Sequence, residues 1–141
     1  MFLPFSGAKI ALLHGDLTVA YRRDNKPTIP FPNQWDLPGG GREGTETPQA
    51  TALREAWEEF GLRLPEDRIC WTRHYPADGG RSDANYFFAM QISALEVQSI
   101  RFGDEGQFWQ MMPVREFIGH SEAVPYLRDR LSACWAGLER N

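Results

Sequence analysis

The order of apolar and polar residues along the chain predicts several short β-strands. Residues 8–23 contain two apolar runs separated by the sequence HGD at 14–16, which favours a tight turn, so we expect a β-hairpin there. Three more segments are rich in residues that favour strands: 69–75, 84–92 and 108–112. The composition of residues 76–83, between the first two of these segments, predicts a loop.

Two helices are predicted, one in the middle of the chain and one near its end. Residues 48–60 give the clearest pattern. Thr47 suits the N-cap, Pro48 suits the first helical position, and Gly61 suits the left-handed residue that ends a helix. Residues 121–138 would form an amphipathic helix with one apolar side: Leu127, Leu131, Cys134, Trp135 and Leu138.

Strands before, between and after these two helices predict a mixed β-sheet sandwiched between helices, an α/β (α+β) architecture. Residues 24–41 contain four prolines and three glycines, so we expect an ordered loop between the hairpin and the first helix. A chain of 141 residues has the size of one ordinary domain, and residues 1–141 are therefore expected to form a single domain.

The charge balance and the cysteines exclude several classes of protein. There are 19 acidic residues against 15 basic ones and no basic run, which argues against polymeric nucleic acid as a partner. Cys70 and Cys134 are far apart and have no CxxC partner, so neither a disulfide framework nor a thiolate zinc site is indicated. We expect both to be buried free thiols.

The N-terminal stretch is apolar in places but does not have the pattern of a targeting or membrane-spanning segment. It lacks a basic lead, Pro4 and Lys9 interrupt it, and no apolar run approaches the roughly 18 residues needed to span a bilayer. We therefore expect a soluble, cytoplasmic protein without a membrane association.

The predicted helix at 48–60 has an apolar side and an acidic side. At about 100° per residue, the apolar side would contain Leu53, Ala56, Trp57 and Phe60, and the opposite side Glu55, Glu58 and Glu59. A solvated surface helix is one interpretation. However, like charges three and four residues apart destabilise a helix by a few tenths of a kcal/mol per pair, and no lysine four residues along offsets them. Three carboxylates, with a backbone carbonyl from the preceding glycines, would instead suit an oxygen-only site for Mg²⁺ or Mn²⁺.

The spacing of these residues is that of a known family signature. The pattern GX5EX7REUXEEXGU, where U is a bulky aliphatic residue, is matched by eight positions: Gly40, Glu46, Arg54, Glu55, Glu58, Glu59, Gly61 and Leu62. The chain therefore resembles the Nudix hydrolases. Ala56 departs from the pattern, since it is small where an aliphatic residue is usual. The stretches YRRDNK and GDEGQFWQM also resemble those of MutT-type members.

The resemblance implies a mixed sheet between helices and a set of metal ligands. Glu55, Glu58 and Glu59 match the family's metal ligands, and the carbonyl of Gly40 would complete them. Glu105 resembles a late glutamate that serves as a further ligand or as a base. Which glutamate is the general base stays open among three candidates: Glu58, Glu59 and Glu105.

The remaining residues of the signature would support this site. Arg54 would orient a glutamate through a charge-assisted hydrogen bond. Glu46 would brace the glycines against the helix, and Gly61 would end it. Gly39 and Gly41 would allow the backbone to approach the metal and the substrate closely.

Arg22 and Arg23 are either two solvated cations or phosphate contacts, and their likeness to the MutT-type stretch supports the second interpretation. MutT-type enzymes specific for oxidised guanine have an asparagine near the start of the last helix. Ser121 stands there in this chain, and a hydroxyl cannot replace a carboxamide that donates and accepts. The resemblance therefore does not extend to oxidised-guanine specificity.

The expected activity is Mg²⁺-dependent hydrolysis of a nucleoside triphosphate to a monophosphate and pyrophosphate. The alternatives are hydrolysis of ADP-ribose, of a nucleotide sugar or of a dinucleoside polyphosphate, and, more remotely, a catalytically silent Nudix-fold module that only binds a ligand. The expected partner is thus a small nucleotide or another diphosphate. The aromatic content leaves a homodimer open.

Overall fold

A long central strand pairs with three neighbours and sets the architecture. The computed structural model describes residues 1–79 and 83–139. They form a seven-stranded mixed sheet. The strands are β1 Gly7–His14, β2 Leu17–Arg22, β3 Trp35–Asp36, β4 Gly39–Gly41, β5 Ile69–Tyr75, β6 Asn85–Gln91 and β7 Phe108–Pro113. The helices are α1 Pro48–Phe60, α2 Ala94–Gln98, α3 Val114–Gly119 and α4 Pro125–Glu139, with a 3-10 turn at Glu66–Arg68.

β1 pairs with one strand near its end and with another at its start, and this change of partner positions the candidate site. The end of β1 pairs with β2, at Leu13 opposite Thr18. The start of β1 pairs instead with β4, which contains the glycines. Along its other side, β1 runs parallel to β6, and β6 is antiparallel to β5. The strand order is β3-β2-β1-β6-β5, and β7 lies off this path and pairs with β2.

Each face of the sheet is covered by helices. Along β1, alternate side chains point to opposite faces, so Ile10 and Leu12 pack against Phe60 of α1, whereas Ala11 and Leu13 belong to the core beneath α3 and α4. The mixed sheet between helices confirms the expected α/β (α+β) fold. Within the described residues, no helix is long and apolar enough to cross a membrane.

The elements predicted from the sequence are confirmed, with small changes in their bounds. The hairpin, the strands at 69–75, 84–92 and 108–112, and both long helices are present, and α1 has the predicted limits. The strands β3 and β4, which lie within the loop expected at 24–41, and the short helices α2 and α3 were not predicted. The helix α2 nevertheless has a recognisable capping box, in which Ser93 and Glu96 each accept from the other's backbone NH. The loop expected at 76–83 includes residues 80–82, which lie outside the described residues.

The predicted apolar side of α1 is wrong at Trp57. The ring is 45% exposed, and the guanidinium carbon of Arg63 lies 4.0 Å from its centroid. The helix instead packs through Ala52, Ala56 and Phe60, which are fully buried. The small Ala56 allows close packing there, and the helix is rotated so that Trp57 lies at the boundary with solvent.

The expected burial of both thiols is correct for one cysteine only. Cys134 is fully buried in the core beneath α4. Cys70 is exposed, because it lies on β5 at the irregularity between Ile69 and Trp71. Its thiol donates a weak hydrogen bond to the carbonyl of Ala89, at 3.4 Å.

Candidate active site

Local interactions at both ends of α1 fix the register of its glutamates. At the N-terminus, the Thr47 hydroxyl accepts a hydrogen bond from the amide of Ala50 at 3.1 Å. At the C-terminus, Gly61 adopts a left-handed φ of 69°, and its amide donates to the carbonyl of Trp57 at 2.9 Å. Gly61 therefore has the helix-ending role that the signature implied.

Arg54 joins α1 to the residues that precede it. Its Nε donates to Glu46 Oε2 at 2.7 Å, and its Nη2 donates to the carbonyl of Gly41 at 2.8 Å. Its Nη1 lies 3.1 Å from Glu55 Oε1 and 3.1 Å from Glu58 Oε2. With Glu43 Oε2 at 3.4 Å from Nη1, the guanidinium pairs with four carboxylates, and hydrogen bonding to Arg54 is the main reason that the pKa of Glu46 is lowered.

Glu46 is hydrogen-bonded both to the loop before the helix and to the helix itself. One of its carboxylate oxygens accepts from the amide of Glu43 at 2.8 Å and from the hydroxyl of Thr51 at 3.1 Å. All of its hydrogen-bonding partners in these residues belong to the loop or to α1, so its position is structural.

Residues 37–41, the last three of which form β4, are here called the glycine loop. The backbone of this loop lies against two glutamates, Glu55 and Glu59. The amide of Gly39 donates to Glu59 Oε1 at 3.0 Å. Gly39 has a φ of 135°, and a Cβ there would overlap the carbonyl oxygen of Ala8. A Cβ on Gly40 would overlap Glu55 Oε2. Glycine is therefore required at both positions for the loop to lie against the carboxylates.

Four predicted residues line one cleft, here called the carboxylate cleft, of about 200 Å³: Glu55, Glu58, Glu59 and Glu105. Gly103 and Asp104 complete its lining. The amide of Gly103 donates to the carbonyl of Glu59 at 2.8 Å, which holds the loop with Glu105 against the end of α1. Glu105 therefore faces the same cleft as the three glutamates of α1, although it follows the last of them, Glu59, by 46 positions.

The electrostatics of the cleft disfavour ionised carboxylates. Burial raises the pKa of Glu59 to about 8, although Lys9 and the amide of Gly39 oppose the shift. Burial also raises the pKa of Glu55 to about 7, with a further contribution from its hydrogen bond with Glu58. A cation placed in this cleft would favour the charged forms of both groups.

The side-chain arrangement in the described residues does not by itself enclose a metal ion. No three His, Cys, Asp or Glu side chains of residues 1–79 and 83–139 are grouped closely enough to do so. Glu55 and Glu58 are instead paired with Arg54 Nη1. The predicted ligands share one cleft, but two of them are engaged by the guanidinium.

A second and larger hollow of about 570 Å³ lies on the other side of the glycine loop. Its polar lining includes Lys9, Arg23 and Asp36, and two rings, Phe31 and Tyr126, meet edge to face with centroids 5.9 Å apart. Gly40 and Gly41 line this hollow too, and Gly39 and Gly40 lie against Glu59 and Glu55, so the glycine loop borders both spaces.

The buried carboxylate of Asp36 organises the polar wall of the large hollow. Its side chain is 2% exposed, and it accepts from Arg23 Nη1 at 2.8 Å, Tyr21 Oη at 2.9 Å and Lys9 Nζ at 3.1 Å. Burial alone would raise the pKa of Asp36, but the ion pairs with Lys9 and Arg23 lower it. The sequence did not single out Lys9 or Asp36 as site residues.

The structure brings Arg23 to the site but not Arg22. Arg23 lines the large hollow, whereas Arg22 donates to Asn33 Oδ1 at 3.1 Å and to Glu122 Oε1 at 3.1 Å and lies over the ring of Trp35. Arg22 is the last residue of β2 and Arg23 follows it, and the two side chains have different partners, since Arg23 pairs with the buried Asp36 beside the hollow. Ser121 does not line the hollow either, and Val124 and Tyr126 contribute the wall from that end of α4.

Comparison with known proteins agrees with the fold and with the signature in α1. The NUDIX domain family matches residues 7–132. The chain therefore belongs to the Nudix family. The chain is also similar to an RNA pyrophosphohydrolase of Roseobacter denitrificans, with 26% identity over 91% of this chain and 86% of that protein. The family match and such relatives together indicate a pyrophosphohydrolase.

Two solved structures share the fold. The NUDIX domain of Shewanella oneidensis NrtR in complex with ADP ribose has a TM-score of 0.71 at 18% identity, covering 98% of this chain and 90% of that one. A bifunctional NMN adenylyltransferase/ADP ribose pyrophosphatase of Francisella tularensis, complexed with AMP and a Mn ion, has a TM-score of 0.61 at 20% identity and covers 78% of this chain and 34% of that one. Some other relatives match over about 65 residues only, and the chain covers 20% to 38% of their length.

Proposed function

We propose that this protein is a Mg²⁺-dependent hydrolase that converts nucleoside triphosphates to monophosphates and pyrophosphate. The observation that carries the proposal is the pairing of two spaces across the glycine loop. One is lined by five carboxylates suited to a cation, and the other combines aromatic rings with the guanidinium of Arg23. A nucleotide needs both kinds of surface, since it has an apolar base and an anionic phosphate chain.

The donor set of the carboxylate cleft fits a divalent cation. Glu55, Glu58, Glu59 and Glu105 would hold it together with the carbonyl of Gly40. These are all oxygen donors, which suit Mg²⁺ and also Mn²⁺. The raised pKa values of Glu55 and Glu59 mean that the cleft disfavours their ionised forms in the absence of a cation, and a bound cation would stabilise those forms. The cation would neutralise phosphate charge and lower the pKa of a bound water.

For the site to bind the cation, Arg54 must give up its contacts with Glu55 and Glu58. Its hydrogen bonds to Glu46 and to the carbonyl of Gly41 do not involve the cleft, so the guanidinium has two strong contacts to keep. Arg54 would then remain a positioning group that holds the glycine loop against α1.

The reaction requires a base that accepts a proton from water as its oxygen bonds to phosphorus and the phosphoanhydride bond breaks. Attack at the α- or the β-phosphorus gives the same two products. Glu58, Glu59 and Glu105 remain the candidates for this base. Glu58 is 52% exposed, so it can exchange a proton with solvent directly, whereas Glu59 is largely enclosed and is held by the amide of Gly39.

The large hollow would receive the nucleoside. Phe31 and Tyr126 offer ring surfaces for a base. The guanidinium of Arg23 lines the hollow. Its planar set of donors suits hydrogen bonding to a phosphate. The backbone of Gly39 and Gly41 would lie beside the phosphates between the two spaces.

A second candidate substrate is the 5′-triphosphate end of an RNA. The observation in its favour is the similarity to an RNA pyrophosphohydrolase along most of both chains. An RNA of this kind would bind the site through its terminal phosphates. The rest of the strand would then need no basic surface on the protein. ADP-ribose, nucleotide sugars and dinucleoside polyphosphates are the other candidates.

The test is product release from a substrate panel with Mg²⁺, with Mn²⁺ and with EDTA. The panel contains canonical and oxidised nucleoside triphosphates, ADP-ribose, a nucleotide sugar, a dinucleoside polyphosphate and a 5′-triphosphorylated RNA. Pyrophosphate release from nucleoside triphosphates that stops in EDTA would support the proposal. Preferred turnover of another class would replace the substrate, and turnover unaffected by EDTA would refute the metal dependence. The variant Glu58→Gln serves as the inactive control.

A further inference from the structure

The side chain of Lys9 spans the glycine loop from the neighbouring strand. Lys9 pairs with Gly39 across β1 and β4. Its ammonium lies 3.0 Å from Asp36 Oδ1, 3.1 Å from the carbonyl of Leu37 and 3.3 Å from the carbonyl of Gly39. Three donors of an ammonium thus meet three acceptors, and the side chain is only 14% exposed.

The carbonyls that Lys9 holds belong to the glycine loop, and one residue of this loop, Gly39, also contacts Glu59. Gly39 directs its carbonyl to Lys9 and its amide to Glu59 Oε1, so a rotation of this residue would move both contacts together. The next residue, Gly40, touches the carboxylate of Glu55. The position of the loop therefore determines the position of two carboxylates.

We infer that Lys9 is a positioning residue that fixes the glycine loop, and through it Glu59 and Glu55, in the arrangement that binds the divalent cation. The inference rests on the proposed metal site and adds a residue from outside the signature to it. The ammonium acts through the loop and has no bond to the cation. A buried lysine is costly unless it is fully paired, so an extended apolar side chain would pack more easily at this position if packing were its only role.

The test compares Lys9→Met with Arg115→Met. Both variants lose one positive charge, but Arg115 is 79% exposed and pairs with Glu139 on α4, away from the cleft. Mn²⁺ alone is titrated into each protein, and free Mn²⁺ is followed by electron paramagnetic resonance. We expect Lys9→Met to weaken the Mn²⁺ affinity about 10-fold to 100-fold, the usual effect of losing a group that orients metal ligands. Arg115→Met should keep the affinity of the unmodified protein.

Kinetics separate positioning from direct substrate contact. Loss of a positioned metal should lower kcat for the preferred substrate and leave KM within about twofold, whereas loss of a substrate contact should raise KM at unchanged Mn²⁺ affinity. Equal Mn²⁺ affinity in Lys9→Met and the unmodified protein would overturn the inference about Lys9 and leave the proposed metal site intact. Failure of the unmodified protein to bind Mn²⁺ would overturn the metal site and the inference together.

A second variant guards against a folding defect. Among the described residues, Lys9→Met leaves Asp36 with Arg23 as its remaining ion-pair partner, so the single variant is destabilised as well. The double variant Lys9→Met with Asp36→Asn removes the buried negative charge and still withdraws the ammonium from the carbonyls of Leu37 and Gly39. It should show the same loss of Mn²⁺ affinity at a higher melting temperature, and a return to the original affinity would refute the role of Lys9.

Discussion

The raised pKa of Glu59 makes the stability of the metal-free protein depend on pH in a defined direction. Burial raises this pKa to about 8 in the folded protein, and an unfolded chain has a value of about 4.3. Between these two values the folded state binds a proton that the unfolded state has lost. The free energy of unfolding must therefore fall as the pH rises through this window.

The size of the effect follows from one proton difference. One proton corresponds to about 1.4 kcal/mol per pH unit, so Glu59 contributes a loss of about 3 kcal/mol between roughly pH 5.5 and 7.5. Glu55, whose pKa is raised to about 7, adds a loss in the lower part of the same window. The protein in EDTA should thus be less stable at pH 7.5 than at pH 5.5, and Mg²⁺ should reverse the trend because it binds the ionised forms.

The assay is urea unfolding of the unmodified protein and of Glu59→Gln at several pH values in EDTA. Glutamine keeps the acceptor for the amide of Gly39 but does not titrate, so the variant should show a slope smaller by about 1.4 kcal/mol per pH unit. The difference between the two proteins isolates Glu59 from all other groups. Identical slopes would refute the assignment of a buried, protonated Glu59, and a steeper slope in the variant would contradict the sign.

Three further changes test separate parts of the site. Glu58→Gln should reduce turnover by orders of magnitude without altering the circular dichroism spectrum, because this half-exposed carboxylate contributes little to packing; normal turnover would contradict its assignment as a ligand or base. Trp57→Ala should cost about 1 to 2 kcal/mol in urea unfolding, below the 3 to 5 kcal/mol of a buried ring, since the ring is 45% exposed; a larger loss would mean that it packs against more than Arg63. Arg23→Ala should raise KM for phosphorylated substrates and Arg22→Ala should not, because only Arg23 lines the large hollow; equal KM values would remove Arg23 from the substrate contacts.

Local sequence signals were sufficient for α1 and for the register of its acidic residues. A cap, a proline and a terminal glycine act within one turn, so their effects can be read from neighbouring residues alone. The same holds for the turn at 14–16 that forms the hairpin. Once the helix limits are set, the spacing of Glu55, Glu58 and Glu59 puts them on one side without any information about the rest of the fold.

The exact rotation of α1 could not be read from its own sequence. Ala56 and Trp57 are both apolar and adjacent, and periodicity places them in the same sector. Contact with the sheet decided between them, because the small Ala56 permits close packing and Trp57 can expose part of its ring while stacking on Arg63. Long-range partners likewise separated Arg22, which pairs with Glu122, from Arg23, which pairs with Asp36.

The sequence by itself determined the class of chemistry in this protein, since one helix and its signature specify the carboxylates. Only the tertiary structure decided how they are held. Lys9 and Asp36 lie 27 positions apart and meet because β1 pairs with β4, a contact that no local pattern encodes. Long-range strand pairing therefore connects a lysine outside the signature to the glycine loop, and through that loop to the glutamates.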